Sequence, residues 1–241
     1  MTSNLLKVKL KGFTNKLSEF ASKLLVANCA HPRLINMTKS FLIGIAGGSG
    51  SGKTTLANKL LAKLGHDNAI CITHDHYYKD QSQLTLEERK LTNYDHPNAY
   101  DTNLLIKDLK TLISNQSINR PTYDFLLDTR SPNLILLASR PIIIVEGILI
   151  FENSDLRNLF DLKVFVDTDS DIRLIRRFTR DIDEFNRSYE YVVDKYLTQV
   201  RPMYLEYVEP YKKYADQVIT ADNINDKIIG ALFDQISAIL K

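Results

Sequence analysis

Gly47-Gly48-Ser49-Gly50-Ser51-Gly52-Lys53-Thr54 is the stretch from which the fold is read. It fits G-x-x-x-x-G-K-[ST], a pattern whose backbone N–H groups can surround a row of phosphates. The flanks supply the context that the pattern requires. Phe41-Leu42-Ile43-Gly44-Ile45-Ala46 is a short apolar run and reads as a buried strand. Leu56, Leu60, Leu61 and Leu64 recur at helical spacing on the other side. Glycines let the backbone turn inward without a Cβ in the way, and the following helix points its positive end at the same place. On this reading Gly47, Gly48, Ser49, Gly50, Ser51 and Gly52 line a triphosphate. Lys53 reaches the β- and γ-phosphates, Thr54 is a ligand of Mg²⁺, and Thr55 follows in the first helical turn. The bland alternative is a glycine-rich turn without a ligand.

The chain of 241 residues suits one α/β domain with an appendage. A formal charge of +2 is too small to argue for nucleic acid. Two cysteines, Cys29 and Cys71, form no Cys-x-x-Cys pair, so a disulfide framework is not expected and a reducing, cytoplasmic setting is. No apolar run approaches the ~20 residues that span a bilayer.

Residues 1–39 form a separate region in composition, ahead of a domain expected over 40–241. The first forty residues carry seven basic side chains against one acid, Glu19, which leaves a net −4 on the remainder. Leu6, Leu10, Phe13, Leu17, Phe20 and Leu24 fall at steps of three and four, an amphipathic helix. Three readings stand: a peripheral helix, an organelle transit segment, or residues upstream of a true start at Met37.

Ala69-Ile70-Cys71-Ile72-Thr73 is a second strand, ending at His74-Asp75-His76-Tyr77-Tyr78. Open α/β sheets carry their chemistry beyond the carboxyl ends of the strands, which puts Asp75 beside the phosphate loop. A carboxylate there can orient an attacking hydroxyl or take its proton; capping the next turn is the structural alternative, and a His-x-His metal pair a weaker one. In Asn93-Tyr94-Asp95-His96-Pro97, Pro97 drives His96 towards extended geometry. Asp95 can accept from two neighbouring hydroxyls, as on a ribose, or cap a turn. Residues 117–137 read as a hairpin excursion, with Tyr123 and Phe125 either walling a flat ring or packing an edge strand. Pro141–Gly147 is the clearest central strand, with Glu146 at its tip, where a carboxylate can face Mg²⁺. Residues 162–167 and 217–220 are further strands. Arg173, Arg176, Arg177 and Arg180 share a helix face and read as a lid over phosphate, or as a solvated stripe with i,i+4 acid partners.

In combination these pieces resemble the uridine/cytidine kinase group of the phosphoribulokinase/uridine kinase family. The matching segments are FLIGIAGGSGSGKTT, THDHYY, NYDHPNAYD, PTYDF, IIIVEGIL, FVDTDSDIRLIRRFTRD and KKYAD, over roughly residues 40–222. The resemblance implies a P-loop three-layer α/β sandwich with a mostly parallel sheet, a β-hairpin on the substrate side and a helical lid. It implies transfer of phosphate from ATP or GTP, with Mg²⁺, to the 5′-hydroxyl of a pyrimidine nucleoside, in a dimer or tetramer. Asp75 matches the catalytic carboxylate, Tyr78 a nucleoside-lining tyrosine and Asp95 the carboxylate on the ribose hydroxyls. Tyr123 and Phe125 match the aromatic wall, Arg177 and Arg187 substrate arginines, Arg180 a lid arginine and Asp222 an ATP-contacting acid.

Three positions depart from the family pattern. Asp128 stands where a histidine usually meets position 4 of the base. An ionised Asp only accepts hydrogen bonds, which suits the amino group of cytosine better than the carbonyl of uracil. Lys195 replaces a substrate-side glutamine, and Phe185 an arginine. Same-fold kinases of a sugar phosphate or pantothenate, and a nucleotide switch, are the other functional readings. Against a GTPase switch, neither Asp-x-x-Gly nor Asn-Lys-x-Asp occurs.

Overall fold

The structure, a computed structural model, describes residues 39–239. The expectations for residues 1–38, including the amphipathic helix and the start at Met37, lie outside those residues. In chain order the elements are β1 (Phe41–Ala46), α1 (Lys53–Leu64), β2 (Ala69–Thr73), α2 (Leu86–Lys90), α3 (Thr102–Ile113), β3 (Ile118–Asp124), β4 (Thr129–Leu137), β5 (Ile142–Gly147), α4 (Ser154–Arg157), β6 (Leu162–Asp167), α5 (Ser170–Asp183), α6 (Tyr189–Lys195), α7 (Arg201–Tyr207), β7 (Gln217–Thr220) and α8 (Asp226–Ile239).

Five strands pair in the order β2-β5-β1-β6-β7, every neighbour parallel. Every residue of β1 and of β5 is buried, as expected of strands covered on both faces. Their side chains divide by the period of two. Leu42, Ala46, Ile143 and Val145 pack with Leu105, Leu109 and Leu112 of α3. Ile43, Ile45, Ile142 and Ile144 pack with Leu56, Leu60 and Leu64 of α1 and with Ile229, Leu232 and Ile236 of α8. The result is a three-layer sandwich with its core on both sides of the sheet. Gly44 marks where a helix-side layer closes in: a Cβ there would stand 2.9 Å from the rings of Phe151 and Phe160.

β2 ends at Thr73, as read, and His74–Tyr77 beyond it is a turn of 3₁₀ helix with His74 and Tyr77 buried. Two local readings change. The second hairpin arm begins at Thr129 rather than Asn133, and the β3–β4 register shifts between Pro121 and Thr122. Proline has no N–H for the ladder, which suits an irregularity there. The helical run from Tyr189 to Tyr207 is real but contains a π-helical turn at Tyr196–Val200.

Candidate active site

Three parallel strands deliver the site at their carboxyl ends. β1 runs into the glycine loop, β2 into the turn that carries Asp75, and β5 ends on Glu146-Gly147. Gly50 (φ 77°) and Gly52 (φ 96°) adopt the left-handed conformation that glycine tolerates best. Gly52 opens α1, accepting the first helical bond from Leu56 N at 2.9 Å.

Thr54 Oγ1 donates to Glu146 Oε2 at 3.2 Å. Glu146 is 2% exposed. Burial raises its carboxyl above the ordinary range, with Lys53 opposing the shift. A hydroxyl and a buried carboxylate side by side at the phosphate loop are hard oxygen donors, and that set fits Mg²⁺. The two histidines of His-x-His part company. His74 is buried and stacks on Tyr100, while His76 meets Arg120. No group of three or more His, Cys, Asp or Glu side chains able to hold a metal occurs among the described residues.

Two cavities meet over the loop. One, of about 290 Å³, is lined by Ser49, Lys53 and Asp75, by Tyr78, Asp95, Tyr123 and Phe125, and at its far end by Asp128 and Arg187. The other, of about 570 Å³, is lined by Gly50, Gly52, Thr54 and Thr55 and reaches Ala221 and Ile224. Lys53, Arg177 and Arg180 line both. A larger cavity on the glycine-loop side and a smaller, aromatic one thus share one basic junction.

The acceptor cavity has a ring-bearing wall. Tyr78 lies 5.1 Å from Tyr123 and 5.2 Å from Tyr94, and Tyr123 lies 5.1 Å from Phe125, centroid to centroid. Burial raises the Asp95 carboxyl, and Arg177 pulls it back. Asp75 accepts from Tyr100 OH at 3.1 Å, a side-chain partner rather than the backbone cap that was its structural alternative. Asp95 is not a cap either: in its turn Asn93 Oδ1 accepts from the Asp95 N–H.

The arginine stripe splits in two. Arg177 reaches Ser49 Oγ at 3.1 Å, Asp181 at 3.2 Å and Asp95 at 3.9 Å, while Arg180 pairs with Asp181 at 2.8 Å. Arg173 does not belong to the lid face. It is buried, stacks 3.8 Å from the Tyr204 ring centroid and donates to Thr168 O at 3.0 Å. There it forms the back wall of the loop, where a Cβ on Gly48 would meet its guanidinium at 2.7 Å.

Six further expected residues do not line either cavity: Gly47, Gly48 and Ser51 of the loop, Glu146 behind Thr54, and Asp222 and Lys195. Asp222 sits on the short turn Ala221–Asn223, whose neighbours Ala221 and Ile224 form the lining. Lys195 donates to Lys90 O at 3.1 Å, and Lys90 lines the aromatic cavity. Reading the sequence missed Lys90, Tyr94, Tyr100 and Tyr191 and gave Asp181 only as the i,i+4 partner of Arg177, a pair that forms. Tyr100 carried a signal: it lies within the same polar, aromatic stretch as Asp95.

The profile described as Phosphoribulokinase / Uridine kinase family matches residues 42–227. A uridine kinase from Halalkalibacterium halodurans is 48% identical over 203 residues, covering 84% of this chain and 96% of that one. A uridine kinase from Macrococcus caseolyticus is 48% identical over 205 residues, covering 85% of this chain and all of the relative. Among solved structures, phosphoribulokinase from Rhodobacter spheroides superposes with a TM-score of 0.57 at 18% identity, covering 78% of this chain and 74% of that one, a likeness of fold.

Proposed function

The chain belongs to the phosphoribulokinase/uridine kinase family, and from that premise we propose that it transfers the γ-phosphoryl group of ATP or GTP to the 5′-hydroxyl of uridine or cytidine, giving UMP or CMP. The observation that carries this reading is the junction: Lys53, Arg177 and Arg180 line both a phosphate-loop cavity and an aromatic cavity that holds Asp75.

In the mechanism, Asp75 accepts a hydrogen bond from the 5′-hydroxyl and takes its proton as the oxygen attacks. The O–P bond forms as the bond from the γ-phosphorus to the bridging oxygen breaks, and the electrons leave with the nucleoside diphosphate. Lys53 and the loop amides hold the phosphoryl group in line. Arg177 and Arg180 neutralise its equatorial oxygens and help keep water out. Thr54 and Glu146 would hold Mg²⁺, directly or through water, and the ion, when bound, offsets charge on the β- and γ-oxygens. Asp95 accepts from the ribose hydroxyls, with Arg187 nearby, while Tyr78, Tyr123 and Phe125 enclose the ring. Asp222 contributes to the nucleotide side through its turn, and Lys195 to the acceptor side through Lys90.

At the base end Asp128 is an acceptor with its backbone at φ 49°. Burial raises its carboxyl, while Arg187, Lys90, Arg89 and Lys195 draw it back towards the ionised form. An ionised acceptor there favours cytidine. Assembly into a dimer or tetramer is part of the same proposal.

The test is a nucleoside screen with ATP and Mg²⁺ on wild type and Asp75→Asn. The wild type is expected to release ADP only with a nucleoside present, with kcat/KM about tenfold higher for cytidine than uridine. Asp75→Asn is expected to lower kcat by about 10²–10⁴-fold. ADP release that needs no nucleoside would favour the ATPase or switch reading. Turnover of a sugar phosphate or pantothenate in place of nucleosides would favour the same-fold alternative. A uridine preference would remove the assignment of Asp128.

A further inference from the structure

We infer that Tyr100 is a positioning residue for phosphoryl transfer: its phenol accepts the Tyr78 proton and donates its own to Asp75, so that one carboxylate oxygen is held and the other is left to the acceptor hydroxyl. This deepens the reading of the site given above and rests on Asp75 being the group that meets that hydroxyl.

The proton count sets the direction of the chain. Tyr100 OH lies 3.1 Å from Asp75 Oδ1 and 2.8 Å from Tyr78 OH. A phenol has one proton and an ionised carboxylate has none. The Tyr100 proton therefore goes to Asp75, and Tyr78 supplies the proton that Tyr100 accepts. Burial, together with the charge of Asp75, keeps both phenols protonated, far above their ordinary range. Such a chain polarises along its length.

The backbone holds the pair in place. Tyr78 and Tyr100 form an isolated antiparallel bridge. Lys79 N donates to Ala99 O, and Asp101 N donates to Tyr77 O, each at 2.8 Å. The Tyr100 ring is sandwiched. It stacks on His74 with centroids 4.0 Å apart and planes at 18°, and lies 4.3 Å from Tyr78. Tyr100 is 3% exposed and does not line the acceptor cavity, whereas Tyr78 and Asp75 do. Tyr100 thus acts on the substrate only through those two neighbours.

Tyr100→Phe keeps the ring and its stacking and deletes one oxygen. Its kcat is expected to fall about tenfold, the loss of one hydrogen bond to a charged group, while KM for nucleoside and for ATP stays within about twofold. In an Asp75→Asn background the same change is expected to alter the residual rate by less than about twofold. Tyr78→Phe removes the outer link and is expected to lower kcat less than Tyr100→Phe; because Tyr78 also lines the acceptor cavity, the rate is read at saturating nucleoside. It serves as the test should Tyr100→Phe fail to fold. An unchanged kcat in the Asp75-intact variants, or an equal fall with and without Asp75, overturns the inference while leaving the kinase reading intact. Full activity of Asp75→Asn alone overturns both.

Discussion

His74 shows what one buried side chain costs and where that cost appears. Its two nitrogens have no hydrogen-bond partner among the described residues, and burial holds its pKa down at about 4, with Asp75 opposing the shift. The ordinary value is about 6.5. Between those two pH values the unfolded chain binds a proton that the folded chain refuses. Stability is therefore complete above pH ~6.5, falls as the pH drops, and levels off below about 4, a loss of about 3 kcal/mol from this group. The carboxyls of Asp95, Asp108, Asp128 and Glu146 are shifted up by desolvation and oppose it. The comparison that isolates His74 is thus between wild type and His74→Phe. The variant keeps an aromatic face on Tyr100 and has no group to protonate. It is expected to lose markedly less stability than wild type between pH 7 and 4.5 in denaturant melts. Equal losses would show that the imidazole finds a partner in solution.

The hairpin is the element least absorbed by the fold. β3 tucks Ile118 and Tyr123 inward, but β4 leaves Leu134 59% and Leu136 72% exposed, with Ile135 between them on the opposite face at 45%. A strand that presents apolar side chains on both faces at a sheet edge is suited to pairing with another chain. A second copy is the occupant that fits the expected dimer or tetramer. The double substitution Leu134→Lys with Leu136→Lys is expected to lower the mass measured by light scattering to that of a single chain, with an unchanged far-ultraviolet spectrum. A wild-type protein that already runs as a monomer at micromolar concentration would dismiss the hairpin as an assembly surface. Elements were otherwise the most legible level of the sequence. The strands of the parallel sheet and helices α1 and α3 announce themselves through short apolar runs or leucines at steps of three and four, because burial dictates those patterns. The His74–Tyr77 turn did not, since its buried His74 and Tyr77 and its site-facing Asp75 follow no period. The arginine stripe was misread for a related reason. Helical spacing places Arg173 with Arg177, but Arg173 lies against Tyr204 and the loop, and only tertiary packing reveals that.

At the scale of the molecule, the phosphate loop could be read from the sequence because its spacing encodes a backbone conformation. The acceptor cavity, where residues from 49 to 191 meet, has no local pattern of its own, and most of its wall was legible only through the family resemblance. Strand context pointed to Asp75, whereas for Asp95 the turn left two roles open and only the resemblance chose between them. Tyr100, Tyr191 and Lys90 needed the coordinates. Of the three side chains that line both cavities, Arg177 is divided between Ser49 of the loop and the carboxylates Asp181 and Asp95. An acceptor that occupies the Asp95 oxygens loosens one claim on that guanidinium and leaves more of its charge for the nucleotide. The two ligands then share a single linkage free energy. A non-hydrolysable nucleotide should bind at least about fivefold tighter with nucleoside present, and the nucleoside should gain by the identical factor. Calorimetry in both directions checks the equality, and Arg177→Lys should bring both factors close to one. Independent binding in the wild type would mean that Arg177 carries no message between the two sides.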